Sequence, residues 1–319
     1  MSVEEVQGAP SRHGASAPWD RTLESWNPVM VFVLCAAGAA GGVLLLLAGA
    51  TRTEHSEQFV QSSGFTVWAA VIAAQTAVWA VLTVPVWREA MTLYRQTRPS
   101  WTIWVVPGLV VLALLLLLVL SPAGGFDWPL VGHRVKSALL TGAAALGVGV
   151  PAVFAISLVQ DGVRRHPRHE MTTAHVNQAV EARAQMRRLL SAAGAIIGLA
   201  VLAAGALQRA TVPTFISEAE YPPTAILLYG AFFTGLLVLV WLPAHLSLRR
   251  FCLDVRESFY PQAQMPSPTS DEFAGWVDAR NRLDTLTQVN VSASQQLQAS
   301  LFILAPLISA ILGALLPKV

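Results

Sequence analysis

The sequence predicts an all-α, polytopic membrane protein with six or seven transmembrane helices. Hydrophobic residues make up 54% of the 319-residue chain and charged residues only 13%, about half the charged fraction of a soluble domain. Residues 101–120 carry no charge, and fourteen of these twenty residues are Leu, Val or Ile. Twenty helical residues cover about 30 Å, the thickness of the hydrocarbon core. Most of the chain is therefore expected to lie in a lipid bilayer.

Six uncharged runs of about twenty residues each are the predicted transmembrane spans. They follow a polar segment, residues 1–27, whose richness in Gly, Ala, Ser and Pro predicts no fixed fold. A last apolar run, residues 297–316, starts among polar residues and contains Pro306. The C-terminal residues 297–319 are therefore expected to form either a seventh span or a re-entrant helix. The six spans, all within residues 28–246, are residues 29–50, 65–87, 101–120, 137–159, 189–207 and 224–246.

Lys and Arg are distributed unevenly over the segments that join the spans. Sixteen fall on the side that includes the N-terminus, and five fall on the opposite side. Because cytoplasmic loops carry the excess of basic residues, the N-terminus is predicted to be cytoplasmic. The preference for Arg, with Lys136 and Lys318 the only lysines, is typical of a GC-rich bacterial source, which predicts the inner membrane. The net charge of +2 gives no sign of a nucleic-acid-binding surface.

Residues 161–188 and 247–296 are predicted to form a small cytoplasmic layer of amphipathic helices. Neither segment is long enough for a catalytic domain of its own. In the second, the sequence TSDE at residues 269–272 is typical of a helix start. One face of the helix that follows must cover inner helices, another subunit, the membrane surface or a cytosolic partner. The residues of this predicted partner face are Phe273, Trp276, Arg280 and Leu283.

Three histidines, His166, His169 and His175, lie within ten residues and are candidates for metal binding. Their spacing fits no zinc signature, and the basic neighbours would repel a cation. The segment is therefore predicted to be a basic loop facing the lipid surface. A phosphate-binding glycine loop, GxSxG and HExxH are all missing from the sequence. We expect no metal, no cofactor and no enzymatic activity.

Ionisable residues are almost absent from the predicted spans. Gln75 and His245 are the candidates for lining a path, although a structural hydrogen bond between helices is the commoner use of such residues. The lack of charge disfavours a proton- or sodium-coupled transporter and a voltage sensor. It is compatible with a pore lined by small and apolar side chains.

Small residues recur at four-residue spacing, which puts them on one helix face and lets two helices approach closely. Most of these faces are expected to pack helices within one subunit. A face on the first span or the last run could instead join two subunits. The candidate packing residues are Gly38, Gly42, Gly194, Gly198, Ala305, Ser309 and Gly313.

The sequence leaves three functions open. The first hypothesis is a homo-oligomeric channel or signal-responsive membrane effector, controlled at its cytoplasmic face by a soluble protein or a small ligand. The second is a monomeric permease or facilitator, with a cavity inside one subunit near Pro85, Pro151 and Pro243, which Gln75 or His245 would face. The third is a membrane scaffold that anchors a cytosolic partner and transports nothing.

Overall fold

The computed structural model describes residues 27–50, 52–97, 99–120, 128–165, 171–212, 214–289 and 303–313, and every regular element in these ranges is helical. The all-α prediction is thereby confirmed. Three short elements interrupt or follow the α-helices: 3-10 turns at Trp101–Trp104 and Gln262–Gln264, and a π-helical turn at Ala145–Gly149. The α-helices are α1 (Pro28–Leu47), α2 (Glu54–Val60), α3 (Ser63–Thr97), α4 (Val105–Leu120), α5 (His133–Ala144), α6 (Val150–Arg164), α7 (Thr173–Thr211), α8 (Pro223–Phe259), α9 (Asp271–Thr287) and α10 (Ile303–Gly313).

Five long helices in the described ranges are apolar enough to cross a membrane. They are α1, α3, the continuous unit His133–Arg164 formed by α5 and α6, α7, and α8. The third predicted span and the last apolar run form shorter apolar helices, Trp101–Leu116 and Ile303–Gly313. Length and composition thus support a multi-pass membrane protein, with five of the predicted spans present as long helices.

The long helices continue beyond the ends that hydropathy predicts. The second span was expected to end at Trp87, yet α3 runs through Pro85 to Thr97. Likewise α8 passes through Pro243 and ends at Phe259. A hydropathy limit marks the first charged residues, whereas backbone hydrogen bonding along a helix continues through them. Much of the expected cytoplasmic layer therefore consists of extensions of the membrane helices.

The centre of the bundle is formed by α7 and the α5–α6 unit. In their most apolar windows, 61% and 56% of the residues are buried inside the protein, compared with 11% for α1. α7 packs against α3, α6 and α8, while α4 packs on α6 and α1 packs on α3. α1 therefore lies at the edge of the bundle and exposes most of its surface to the surrounding phase.

The small-residue face of α1 packs against α3 of the same chain. A Cβ atom added at Gly38 would lie 2.5 Å from the Thr76 carbonyl oxygen and 2.9 Å from Ala80 Cβ. One added at Gly42 would overlap the Thr76 side chain. Glycine is thus required at both positions for the close approach of the two helices. Lys136 of α5 also contacts α1, because its buried Nζ donates a hydrogen bond to the Leu46 carbonyl oxygen at 2.7 Å.

The C-terminal helix α10 also uses small residues, and it packs against α7 and α8. A Cβ added at Gly198 would lie 3.2 Å from Ser309 Oγ and 3.5 Å from Ala305 Cβ. One added at Gly205 would lie 2.9 Å from Gly313 Cα. The fourth predicted packing glycine, Gly194, is buried within α7. The small-residue faces proposed for oligomer formation therefore pack inside one chain wherever the structure gives their contacts.

Helix α9 begins at Asp271, as the sequence pattern predicts, but without the expected capping box. The hydroxyl of Ser270 donates instead to the Ser267 carbonyl oxygen at 2.8 Å. The helix is held against α8 by Arg280, which donates to Glu257 at 2.7 Å and to the Tyr260 carbonyl oxygen at 2.6 Å. These contacts fix one side of α9 to the end of a membrane helix.

Candidate functional site

A cavity of about 210 Å³ lies inside the helical bundle. Its walls come from α3, α4, α5, α6, α7 and α8, and from the π-helical turn between α5 and α6. Most of the wall is Ala, Val, Leu and Ile, with Trp68 and Phe233 as the largest apolar rings. Every wall helix contributes residues from its apolar stretch.

Gln75 is the most deeply buried polar side chain in the cavity wall. It is 4% exposed, and no hydrogen-bond partner lies within reach of its amide in the part of the chain that is described. Its amide atoms are not among the fully enclosed, unpartnered side-chain atoms of the described residues, so they keep accessible surface, and Gln75 lines the cavity. The cavity therefore has the Gln75 amide in its wall, together with three other polar side chains, Ser137, Thr141 and Tyr229.

The π-helical turn Ala145–Gly149 forms part of the wall, with Ala145 and Gly149 lining the cavity. It ends two residues before Pro151, which has no N–H to donate to the fourth preceding carbonyl group and whose ring crowds that carbonyl. The local rearrangement widens the helix by one residue per turn at this point. Single π turns are frequent at functional sites of helical proteins, so the irregularity and the cavity coincide where a ligand site would be expected.

Aromatic rings cover the end of the cavity near the loop between α7 and α8. Trp128 stacks on His133 with ring centroids 4.0 Å apart, and Trp68, which lines the cavity, lies 6.2 Å from the same imidazole. Tyr221 contacts Trp128 edge to face at 5.9 Å and donates its hydroxyl to the carbonyl oxygen of Ala204, a wall residue, at 3.5 Å. Burial, with a smaller contribution from Tyr229, raises the pKa of Tyr221 above its usual value, so its hydroxyl stays a donor at neutral pH.

A buried ion pair lies on the opposite side of the cavity, where α3 meets α7. Glu89 Oε1 is 3.7 Å from Arg188 Nη2, and the side chains are 2% and 17% exposed. Both residues lie just outside the predicted spans, where hydropathy gives no sign that a side chain is buried. The helical spacing of Glu89 with the buried residues Val86, Ala90 and Leu93 is the signal that could have revealed it.

Of the two predicted path-lining residues, only Gln75 lines the described cavity. His245 instead stacks on Trp241 with ring centroids 4.6 Å apart, and it is not among the residues that line the described cavity. The three prolines near which a permease cavity was expected, Pro85, Pro151 and Pro243, do not line it either. The described cavity thus lies about three helical turns along α3 from Pro85, at the level of Gln75.

The histidine cluster is only partly described. His175 helps to cap the start of α7, because its Nδ1 accepts a hydrogen bond from the Thr172 backbone N–H at 2.9 Å. His166 and His169 lie outside the described residues. Among the residues that are described, no group of three or more His, Cys, Asp or Glu side chains is arranged to hold a metal ion.

The predicted partner face on α9 lies partly against the chain itself. Leu283 is buried, and Arg280 is bonded to α8 and also lies 5.1 Å from the centre of the Trp276 ring. Trp276 in turn contacts Tyr260 edge to face at 6.3 Å. Phe273 is half-buried. Arg280 and Leu283 therefore contact the chain itself, which is one of the surfaces that this face was expected to cover.

The fold and the cavity together describe an all-α, multi-pass membrane protein with an apolar internal cavity. No protein-family model, curated protein or solved structure matches the chain.

Proposed function

We propose that this protein is a ligand-responsive membrane effector, which binds a small molecule in the intramembrane cavity and changes its cytoplasmic helices in response. The observation that carries the proposal is the cavity itself, which lies inside one chain and has the 4% exposed side chain of Gln75 in its wall. Mostly apolar pockets with a few polar groups are typical small-molecule sites. An enzymatic role is not proposed, because the sequence offers no catalytic motif.

The proposed topology follows the positive-inside rule, with a cytoplasmic N-terminus in the inner membrane. α4 is the third crossing, and α10 belongs to a seventh. The contacts of α10 support this, since Ser309 faces Gly198 and Gly313 faces Gly205, so α10 advances in the same direction as α7. A helix that runs parallel to a spanning helix toward its outer end is expected to cross rather than to re-enter. In this orientation α9 is cytoplasmic.

The route from the cavity to the cytoplasmic layer is formed by α7 and α8. Both helices line the cavity, and both continue to the residues that hold α9. From α7, Arg183 donates to the Gln288 carbonyl oxygen at 2.6 Å, just after α9. From α8, Glu257 accepts from Arg280 at 2.7 Å. Because α9 is bonded to both helices, a ligand that spreads them at the cavity is expected to loosen these contacts.

A substitution that fills the cavity tests this coupling without a known ligand. Ala200 of α7 lines the cavity, so Ala200→Phe places a ring inside it. We expect faster hydrogen–deuterium exchange of residues 271–287 in the protein reconstituted in nanodiscs. The matched control is Ala138→Phe, because Ala138 is exposed on α5 and does not line the cavity. Equal exchange of α9 in the two variants and the wild type would contradict the proposed coupling.

A permease is the second candidate, because the cavity inside one subunit and Gln75 in its wall are features that this hypothesis expects. The wall carries no charged residue and few polar ones, so the solute would be small and uncharged. Light-scattering measurements of proteoliposome swelling in glycerol or urea distinguish the two functions. A permease accelerates swelling in a manner sensitive to Ala200→Phe, whereas an effector leaves it at the rate of empty vesicles. The oligomeric channel and the scaffold stay predictions.

A further inference from the structure

We infer that the cavity binds a neutral, lipid-soluble molecule of about eight to twelve non-hydrogen atoms that carries one hydrogen-bonding group for the Gln75 amide. This inference rests on the proposed function, for which it names the class of ligand. Size, charge, the buried amide and the access to the cavity each restrict the ligand.

The cavity volume sets the size. An apolar cavity of about 150 Å³ in another protein accepts benzene, and the present cavity is about 210 Å³. The additional space corresponds to a few more carbon atoms at the packing density of protein interiors. A fused pair of six-membered rings therefore matches the available volume, whereas a folded acyl chain of membrane-lipid length does not.

The wall determines the charge. None of the residues that line the cavity is Asp, Glu, Lys or Arg. A charged group moved from water into such surroundings loses its hydration without gaining a counter-charge, a cost that far exceeds the gain from apolar contacts. The ligand is therefore uncharged.

Gln75 determines where the polar group of the ligand binds. The wall holds three other polar side chains. Ser137 Oγ lies 3.2 Å from His133 Nε2, Thr141 is exposed, and the ring of Tyr229 packs edge to face on Phe233 at 4.7 Å. Gln75 is 4% exposed and its amide lacks a hydrogen-bond partner in the described ranges. An amide offers both N–H donors and a carbonyl acceptor, so a hydroxyl or a carbonyl group on the ligand can be satisfied there.

Thr141 indicates how the ligand reaches the cavity. This residue lines the cavity and is nevertheless exposed, about two helical turns into the apolar unit His133–Arg164, so the cavity is open beside it. At that depth the outer surface faces hydrocarbon. A molecule that enters beside Thr141 must first dissolve in the bilayer, which agrees with the neutral and mostly apolar character set by the wall.

Equilibrium dialysis with naphthol and naphthalene tests the inference. The two probes have the same fused rings and differ only in one hydroxyl group. The protein is reconstituted in phosphatidylcholine nanodiscs, and empty nanodiscs give the background of lipid partitioning. We expect saturable binding of one naphthol per chain, and we expect Gln75→Met to weaken it about 3- to 12-fold, the effect of one hydrogen bond. Naphthalene affinity should change less than twofold in that variant.

The outcomes separate this inference from the function on which it rests. No saturable binding of naphthol, an equal loss for both probes in Gln75→Met, or equally tight binding of naphthalene sulfonate would overturn the ligand class. The proposed function would still stand if α9 responds to Ala200→Phe. The converse result is naphthol binding that depends on Gln75, together with hydrogen–deuterium exchange of α9 that is the same in Ala200→Phe and the wild type. That result supports the ligand class and overturns the effector function. Ala138→Phe should leave naphthol binding unchanged and serves as the control for both.

Discussion

Arg280 of α9 and Glu257 of α8 form the shortest ion pair between α9 and the membrane helices in the described part of the chain, at 2.7 Å. Arg280 is 13% exposed and Glu257 is 40% exposed, so water screens the pair from one side. A second arginine, Arg256, lies 3.1 Å from the same carboxylate and 3.6 Å from Asp284 of α9. The pair thus belongs to a network that joins the two helices, and such networks are worth more than isolated surface pairs.

Replacing Arg280 by Leu is expected to release α9 without unfolding the bundle. The variant loses the contact to Glu257 and the hydrogen bond to the Tyr260 carbonyl oxygen, which together stabilise docking by about 1–2 kcal/mol after solvent screening. Hydrogen–deuterium exchange of residues 271–287 should accelerate about 5- to 30-fold, while α7 and α8 keep their protection in the apolar stretches.

Arg282→Leu on the same helix is the matched control. Arg282 pairs with Asp278 one turn away at 2.6 Å, and both side chains are largely exposed. A surface pair of this kind contributes at most about 0.5 kcal/mol, so exchange of α9 should stay close to that of the wild type. Similar acceleration in both variants would show that charge in general, rather than the contact with Glu257, holds α9.

The ion pair between Glu89 and Arg188 gives a second prediction. The two side chains are 2% and 17% exposed, so water solvates neither charge well. Glu89→Gln leaves the Arg188 charge in a buried position, and we expect a loss of about 3 kcal/mol in the free energy of unfolding. The double variant Glu89→Gln/Arg188→Gln should recover part of this loss, since it removes both buried charges. Denaturation in mixed micelles, followed by circular dichroism, measures all three variants. Additive losses would mean that the two residues do not act as a pair.

Much of the helical framework follows from the sequence because the signal is local. The composition of residues 101–120 is enough to predict a membrane environment, and the spacing of Gly38 and Gly42 is enough to predict a helix face for close packing. Which helix forms the partner is a long-range property. The sequence could not indicate that Thr76 and Ala80 lie opposite Gly38, or that Ser309 lies opposite Gly198.

The candidate site was less predictable for the same reason. Gln75 was identified as a rare polar residue in a span, but its role depends on an empty volume enclosed by six helices that no local pattern encodes. His245 carried a similar sequence signal and instead stacks on Trp241. Glu89 was missed because hydropathy ends a span at the first charged residues, whereas α3 keeps its buried face as far as Leu93, six residues beyond Trp87.

The contact between α1 and α3 predicts opposite effects for two neighbouring glycines. Gly38→Ala forces α1 away from the Thr76 carbonyl oxygen, which lies 2.5 Å from the new Cβ, and overpacking of this kind costs about 1–3 kcal/mol. Gly41→Ala meets nothing within 4 Å and adds up to about 1 kcal/mol of helix propensity. Thermal unfolding in detergent should therefore show a lower midpoint for the first variant and an unchanged or higher midpoint for the second. Equal midpoints would place α1 away from α3.

The docking of α10 gives an analogous prediction on α8. A Cβ at Gly230 would lie 2.5 Å from Ala310 Cβ and 2.8 Å from the Pro306 carbonyl oxygen, whereas one at Gly235 meets nothing within 4 Å. Gly230→Ala should therefore loosen α10 and accelerate exchange of residues 303–313, and Gly235→Ala should not. Because α10 runs alongside the outer part of α7, its loosening should not reach Arg280 and Glu257. If exchange of α9 rises together with that of α10 in Gly230→Ala, then α10 contributes to the same coupling as the cavity, and its effect must be separated from that of Ala200→Phe.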